Sequence, residues 1–206
     1  MATSPNFWNW IAKLYAKQPV ADEAAYKHKL EMTQKLLRPE MNVLEFGCGT
    51  GSTALLHAPY VKSIVAIDFS KKMIEIATNK AREQGVGNVS FQTGMIEDWP
   101  VEDRSFDVIF GLSILHLLED KEAVLRKVHR LLKPGGVFVS STVCPDPKKK
   151  NLYRFLAIGN ALGVLPLVKP FSASELATSI ENAGFSINYN WRPAQNKAVF
   201  IVAKAK

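Results

Sequence analysis

The sequence is poor in cysteine and has no long apolar run. Only Cys48 and Cys144 occur, both in stretches that read as buried strand ends, which excludes a disulfide-stapled scaffold and predicts two reduced thiols. The first 20 residues mix Trp8 and Trp10 with Asn6, Asn9, Lys13 and Lys17. Neither a signal peptide nor a membrane span is readable there, so a cytoplasmic protein is expected. Acidic residues are also in deficit, 19 against 26 basic ones, giving a net charge of +7. The lysines are nevertheless scattered, and the densest cluster, Lys148 to Lys150, follows Pro145-Asp146-Pro147. That cluster reads as a solvated loop, and no nucleic-acid partner is expected. Internal repeats and low-complexity tracts are absent, and 206 residues, 47% of them hydrophobic, suffice for one substantial core.

What the chain does have is alternation. Phe7, Trp8, Trp10, Ile11, Leu14 and Tyr15 predict a helix over 6–16, and Tyr26, Leu30, Thr33 and Leu37 a second over 22–37. Strands are expected at 42–46, 63–67, 89–93, 106–112 and 136–141 with helical patterns between them, an order that means βαβ units and a parallel sheet. Ser70 is placed to cap a helix running to Gln84 and stopped by Gly85, and Ser172 with Glu175 forms a capping box for a helix ending near Gly184. The runs 185–191 and 198–203 have no helix between them and should pair as an antiparallel hairpin. The expected fold class is α/β: a Rossmann-like doubly wound, mostly parallel seven-stranded sheet ending in that hairpin. It forms one domain, with capping helices at 1–40, a cofactor-binding core at 41–143, a lid-like insert at 144–171, and the last helix and hairpin at 172–206. The insert, with Leu152, Phe155, Leu156 and Leu165, reads either as a lid over a site or as a helix covering a sheet edge.

The chemistry gathers behind the first strand. Glu45-Phe46-Gly47-Cys48-Gly49-Thr50-Gly51 leads to Ser52, which opens a helix, so a glycine turn delivers the chain to a helix N-terminus with room for a ligand. The second strand ends at Asp68, where a carboxylate can accept hydrogen bonds from two ribose hydroxyls. The glycines are spaced one residue apart, and Glu45 stands inside the strand. A carboxylate there repels a diphosphate and attracts a ligand carrying a sulfonium and an ammonium. Together Val43-Leu-Glu-Phe-Gly-Cys-Gly-Thr-Gly51, Ile67-Asp-Phe-Ser70 with Met73, Phe106-Asp-Val-Ile109 and Leu131-Leu-Lys-Pro-Gly-Gly-Val137 resemble the class I S-adenosylmethionine-dependent methyltransferases, over Val43 to about Val139. The pair Leu115-His116 is similar to the small-molecule branch typified by ubiquinone and menaquinone biosynthesis methyltransferases.

The resemblance implies that Gly47, Cys48, Gly49 and Gly51 line the methionine part of S-adenosylmethionine, that Glu45 organises the turn, and that Asp68 holds the ribose. It places Phe69 and Met73 beside the adenine or ribose and the Leu112 backbone beneath the sulfonium. Where the family often has Gly-Asp-Ala at the third strand end, this chain has Gly94-Met95-Ile96. Met95 could then pack on the ring and the Ile96 N–H serve a ring nitrogen, with Glu97 or Asp98 standing in for the missing acid or simply solvated. The implied reaction is in-line methyl transfer to a small, partly hydrophobic acceptor. His116 is either its general base or a residue packed under the following loop. Trp8, Tyr15 and Phe155 are expected around an acceptor pocket, Trp8 alternatively in the core; no metal is expected. Other readings are a sensor or scaffold that binds S-adenosylmethionine or its product without turnover, and a nucleic-acid methyltransferase. The base-gripping Asn-Pro-Pro-Tyr type of motif is absent, however, and Cys144-Pro145 lies after the wrong strand for a nucleophile.

Overall fold

The computed structural model describes residues 5–144, 150–162, 164–195 and 197–206, apart from the side chains of residues 150, 151, 152, 154 and 155. Two helices, α1 (Asn6–Lys17) and α2 (Glu23–Gln34), precede the sheet. The strands are β1 (Asn42–Phe46), β2 (Ser63–Asp68), β3 (Val89–Thr93), β4 (Phe106–Leu112), β5 (Leu132–Thr142), β6 (Phe185–Trp191) and β7 (Val199–Ala205). Between and after them run α3 (Ser52–His57), α4 (Lys71–Glu83), α5 (Lys121–Leu131), α6 (Lys150–Ala161) and α7 (Ala173–Asn182).

The seven strands form one sheet in the order β3-β2-β1-β4-β5-β7-β6. Pairs from β3 through β5 are parallel, while β7 is antiparallel to both β5 and β6. The terminal hairpin forms as expected, with its second strand inserted between β5 and β6. One expected boundary moves: β5 begins at Leu132, directly after α5, and the Pro134–Gly136 stretch is absorbed as an irregularity against Phe106 and Val108.

Period-two burial explains the layering. Leu44, Phe46 and Ile109 point into a core completed by Leu125 of α5 and by Leu176 and Ile180 of α7. Val43, Val108 and Phe110 point into the opposite core, with Ala54 of α3, Ile74 of α4 and Phe200 of β7. The caps are as read: the Ser70 side chain accepts from the Met73 N–H, and Ser172 and Glu175 form a reciprocal capping box. Asp22 caps α2 by accepting from the Ala25 N–H. The strand order reverses between β1 and β4, and in an open α/β sheet the crevice at such a switch point, beyond the strand carboxyl ends, is where a ligand finds room.

Candidate functional site

Beyond those strand ends lie two cavities that share Tyr15, Gly47, Gly49, Leu112 and Ser113. The first, a cleft of about 880 Å³ including its open mouth, is lined by Asp68, Phe69, Met73, Met95, Ile96 and Glu97 on one side and by Trp8 and Tyr15 on the other. The second is a chamber lying toward α2 and the hairpin tip, and it contains Glu45, Cys48, Lys29 and Ser141.

The glycines of the turn serve different ends. A Cβ on Gly49 would meet only Tyr15 Cε1, at 3.7 Å, so this residue leaves the backbone open to the cleft. At Gly51, with φ +74°, a Cβ would come within 2.6 Å of Phe91 and 2.8 Å of Ala77. That glycine lets the chain pass beneath β3 and α4. It lines neither cavity, which corrects its expected place beside the ligand. Lys80 ties the turn to α4 by donating to Thr50 Oγ1 at 3.1 Å and Ser52 Oγ at 3.0 Å.

Two buried acids flank the turn. Asp68 accepts from the Gly49 N–H on Oδ2 and from the Ser70 N–H on Oδ1, both at 2.9 Å. The carboxylate therefore shapes the turn, and each oxygen keeps a lone pair for a further donor. Burial raises its pKa, and the two backbone hydrogen bonds oppose that rise. Glu45 is 2% exposed, and its Oε2 has no hydrogen-bond partner among the described residues. Burial, with the charge of Asp68 added, pushes its pKa up to about 8. A buried carboxyl oxygen without a donor is costly, so the geometry fits a ligand that brings a positive group to it. Tyr15 is likewise raised, by burial and then by Asp68 and Glu45.

α1 is fastened over the cleft by Asn9, whose Oδ1 accepts from Ser70 Oγ at 2.7 Å and from the Lys72 N–H at 3.2 Å. Trp8 and Tyr15 meet edge to face, 6.4 Å between centroids. Trp8 thus belongs to the cleft wall, whereas Trp10 is 82% exposed. Of the two acids offered as substitutes near the third strand end, Glu97 lines the cleft and Asp98 does not.

Two expectations are placed differently. His116 lies in the short turn Leu115–Leu117, outside the lining of both cavities, where burial drops its pKa to about 4. Its neighbours Leu117 and Leu118 form that wall instead. The insert does not bring the described side chains of α6 to the cleft: Ile158 is 63% exposed, and among the described residues of this segment it is Leu167 that lines it. The incoming stretch is pinned by the Lys169 N–H donating to the His116 carbonyl at 2.8 Å and by Lys169 Nζ to Glu119 at 2.9 Å. The Phe155 side chain lies outside the described residues.

Two site residues carried no sequence signal. Ser113 takes φ +58°, rare for a residue with a Cβ, and donates its N–H to the Ser141 carbonyl at 2.6 Å. Lys29 sits in a run, Lys27-His28-Lys29, that looks like an ordinary helix surface. Both cysteines are free thiols, and no helix among the described residues is long and apolar enough to cross a membrane.

Comparison with known proteins accords with this geometry. Residues 37–187 match the family model described as a methyltransferase domain. The chain is 42% identical over 102 residues to the uncharacterized methyltransferase YcgJ of Bacillus subtilis, a match spanning 50% of this chain and 40% of that protein. It is 30% identical over 183 residues to a demethylmenaquinone methyltransferase of Listeria welshimeri, covering 75% of each. The crystal structure of Bacillus subtilis YcgJ superposes with a TM-score of 0.71 at 26% identity, over 87% of this chain and 99% of that one. The chain spans about half the length of several curated relatives that it matches.

Proposed function

The chain belongs to the methyltransferase domain family, whose cofactor is S-adenosylmethionine, and we propose that it moves the cofactor's methyl group onto a small, partly hydrophobic acceptor. The observation that carries this reading is the Glu45 carboxyl, whose Oε2 has no partner among the described residues, buried beside an open glycine turn whose other flank is Asp68. When bound, the cofactor supplies a sulfonium methyl activated for in-line attack.

The protein's own part is placement and exclusion of water. Glu45 meets the ammonium, the backbone of Gly47, Cys48 and Gly49 follows the methionine chain, and the free lone pairs of Asp68 take the ribose hydroxyls. Phe69 and Met73 flank the nucleoside, Met95 packs on the adenine ring, and the Ile96 N–H is offered to a ring nitrogen. Glu97 supplies the acid at the cleft mouth. Leu112 and Ser113 line both cavities and would lie beneath the sulfonium of a bound cofactor. Trp8 and Tyr15 close the apolar side, which suits an acceptor with a hydrophobic body. His116 lies outside the lining of both cavities, and acceptors that ionise unaided need no base. A reducing, cytoplasmic compartment suits the two free thiols.

Purified protein given methyl-labelled S-adenosylmethionine and a panel of quinols, phenols, amines, thiols and carboxylic acids is expected to yield a labelled product and S-adenosylhomocysteine. Tight cofactor binding with no transfer to any class would make the chain a sensor, and absence of binding would remove the reading.

A further inference from the structure

The chamber beside the glycine turn holds a cation that nothing proposed above employs. Lys29 of α2 reaches across it, and its Nζ donates to Ser141 Oγ at 3.0 Å. An ammonium has three donors, so two are left over. None of the ion pairs among the described residues includes Lys29. The acid felt most at Lys29, Asp22, is already engaged: it pairs with Lys197 Nζ at 3.0 Å and caps the Ala25 N–H. Burial lowers the pKa of Lys29, as expected for a desolvated ammonium lacking a counter-ion.

The position of this cation in the sheet says what would use it. The groups assigned to the cofactor follow β1, β2, β3 and β4, and Glu45, Cys48 and Gly49 share the chamber with Lys29, whereas Ser141 is next to last in β5, on the far side of β4 from β1. Two strand spacings separate it from the glycine turn, about 10 Å. The chamber wall is mixed: Val20, Leu30 and Phe200 offer apolar surface, beside the polar groups of Thr33, Glu45, Thr53 and His57. Resting on the cofactor assignment above, we propose that Lys29 and Ser141 form an oxyanion subsite for the methyl acceptor, and that the acceptor is a small carboxylic acid with an apolar body.

The test uses the full chain saturated with S-adenosylhomocysteine, titrated with benzoic, phenylacetic, cinnamic and indole-3-acetic acids, each beside its methyl ester, and read by saturation-transfer NMR. At least one acid should bind, about tenfold or more tighter than its ester, since a charge-assisted hydrogen bond is lost on esterification. Lys29→Met should erase that preference and Lys29→Arg retain a preference for acid, with S-adenosylhomocysteine affinity unchanged in both. The proposal is overturned if no acid binds, or if acid and ester bind alike. It is equally overturned if Lys29→Met weakens S-adenosylhomocysteine but leaves 5′-methylthioadenosine, which lacks the amino-acid end, unaffected. That pattern would assign Lys29 to the cofactor's own carboxylate. Should Lys29→Met lose its circular dichroism, Ser141→Ala carries the same comparison. Wild-type protein that binds no S-adenosylhomocysteine would instead remove the cofactor assignment itself.

Discussion

Binding of S-adenosylmethionine at pH 6.5 should expel close to one proton, with Glu45 as its source. With a pKa near 8 in the free protein, this carboxyl is about 97% protonated at that pH. An opposite charge within hydrogen-bond range lowers a carboxyl by about 1–3 units. A recovery of about 3 units brings it near 5, so roughly 0.9 proton leaves per cofactor bound. The same shift is worth about 4 kcal/mol, of which about 2 is spent removing the proton at pH 6.5. The remaining ~2 kcal/mol makes Glu45→Gln about thirtyfold weaker in cofactor affinity. Calorimetry in phosphate and in imidazole buffers reads the proton count from the dependence of the observed heat on buffer ionisation enthalpy. A slope near zero for the wild type, or an equal slope in Glu45→Gln, would refute the reasoning.

Gly51→Ala should cost about 2–4 kcal/mol through its left-handed backbone and the clash with Phe91, seen as a drop of about 6–10 °C in thermal midpoint. The cost should shrink when Phe91 is also reduced to Leu. For the free protein, stability should peak near pH 6.5. His57 and His116, both held near 4 by burial, stay neutral in the fold, so the unfolded chain takes up more protons between pH 4 and 6.5 and stability falls on acidification. Above pH 6.5 Glu45 resists ionising until about 8 while the unfolded chain has already lost that proton, so stability falls again. Urea titrations at pH 5, 6.5 and 8 check this, and a monotonic trend contradicts it. Ser113→Gly should change stability by less than about 0.5 kcal/mol, relief of the left-handed backbone offsetting the entropy of glycine. Ser113→Val should lose about 2 kcal/mol or more, because a β-branched residue resists φ near +58°; equal stabilities for the two variants would show that the backbone there is unstrained.

Much of the fold was legible because local signals agreed with one another. Four of the five parallel strands and β6 fall within a residue of their expected ends, and Ser70, Ser172 and Glu175 cap as read, since these depend on period-two burial and side-chain oxygens near in sequence. The start of β5 was missed because Pro134 and Gly135-Gly136 look like a turn, and only pairing with Phe106 recruits Leu132 into the sheet. The position of β7 between β5 and β6 is a choice of edge that no periodicity encodes. At the candidate site, the nearness of Glu45, Gly49 and Asp68 follows from type and spacing, since Asp68 accepts from the Gly49 N–H and Glu45 and Gly49 line one chamber. Gly51 was read as ligand-facing, although its cause is Phe91, 40 residues away in the chain. Lys29 and Ser113 were invisible, one for lying in a run of polar helix residues and the other because a left-handed serine leaves no mark on composition. The apolar content of the insert leaves a lid and a sheet-edge cover equally open, and among its described residues Ile158 and Leu162 point to solvent while Leu167 reaches the cleft.

Titration of the purified chain with S-adenosylhomocysteine, wild type beside Asp68→Ala, tests the cofactor site most directly. Wild type is expected to bind saturably, one ligand per chain. Asp68→Ala should bind about 100-fold more weakly, because two charge-assisted hydrogen bonds are lost and the Gly49 and Ser70 N–H groups lose their acceptor. No saturable binding by the wild type, or equal affinity in the two proteins, would contradict the assignment.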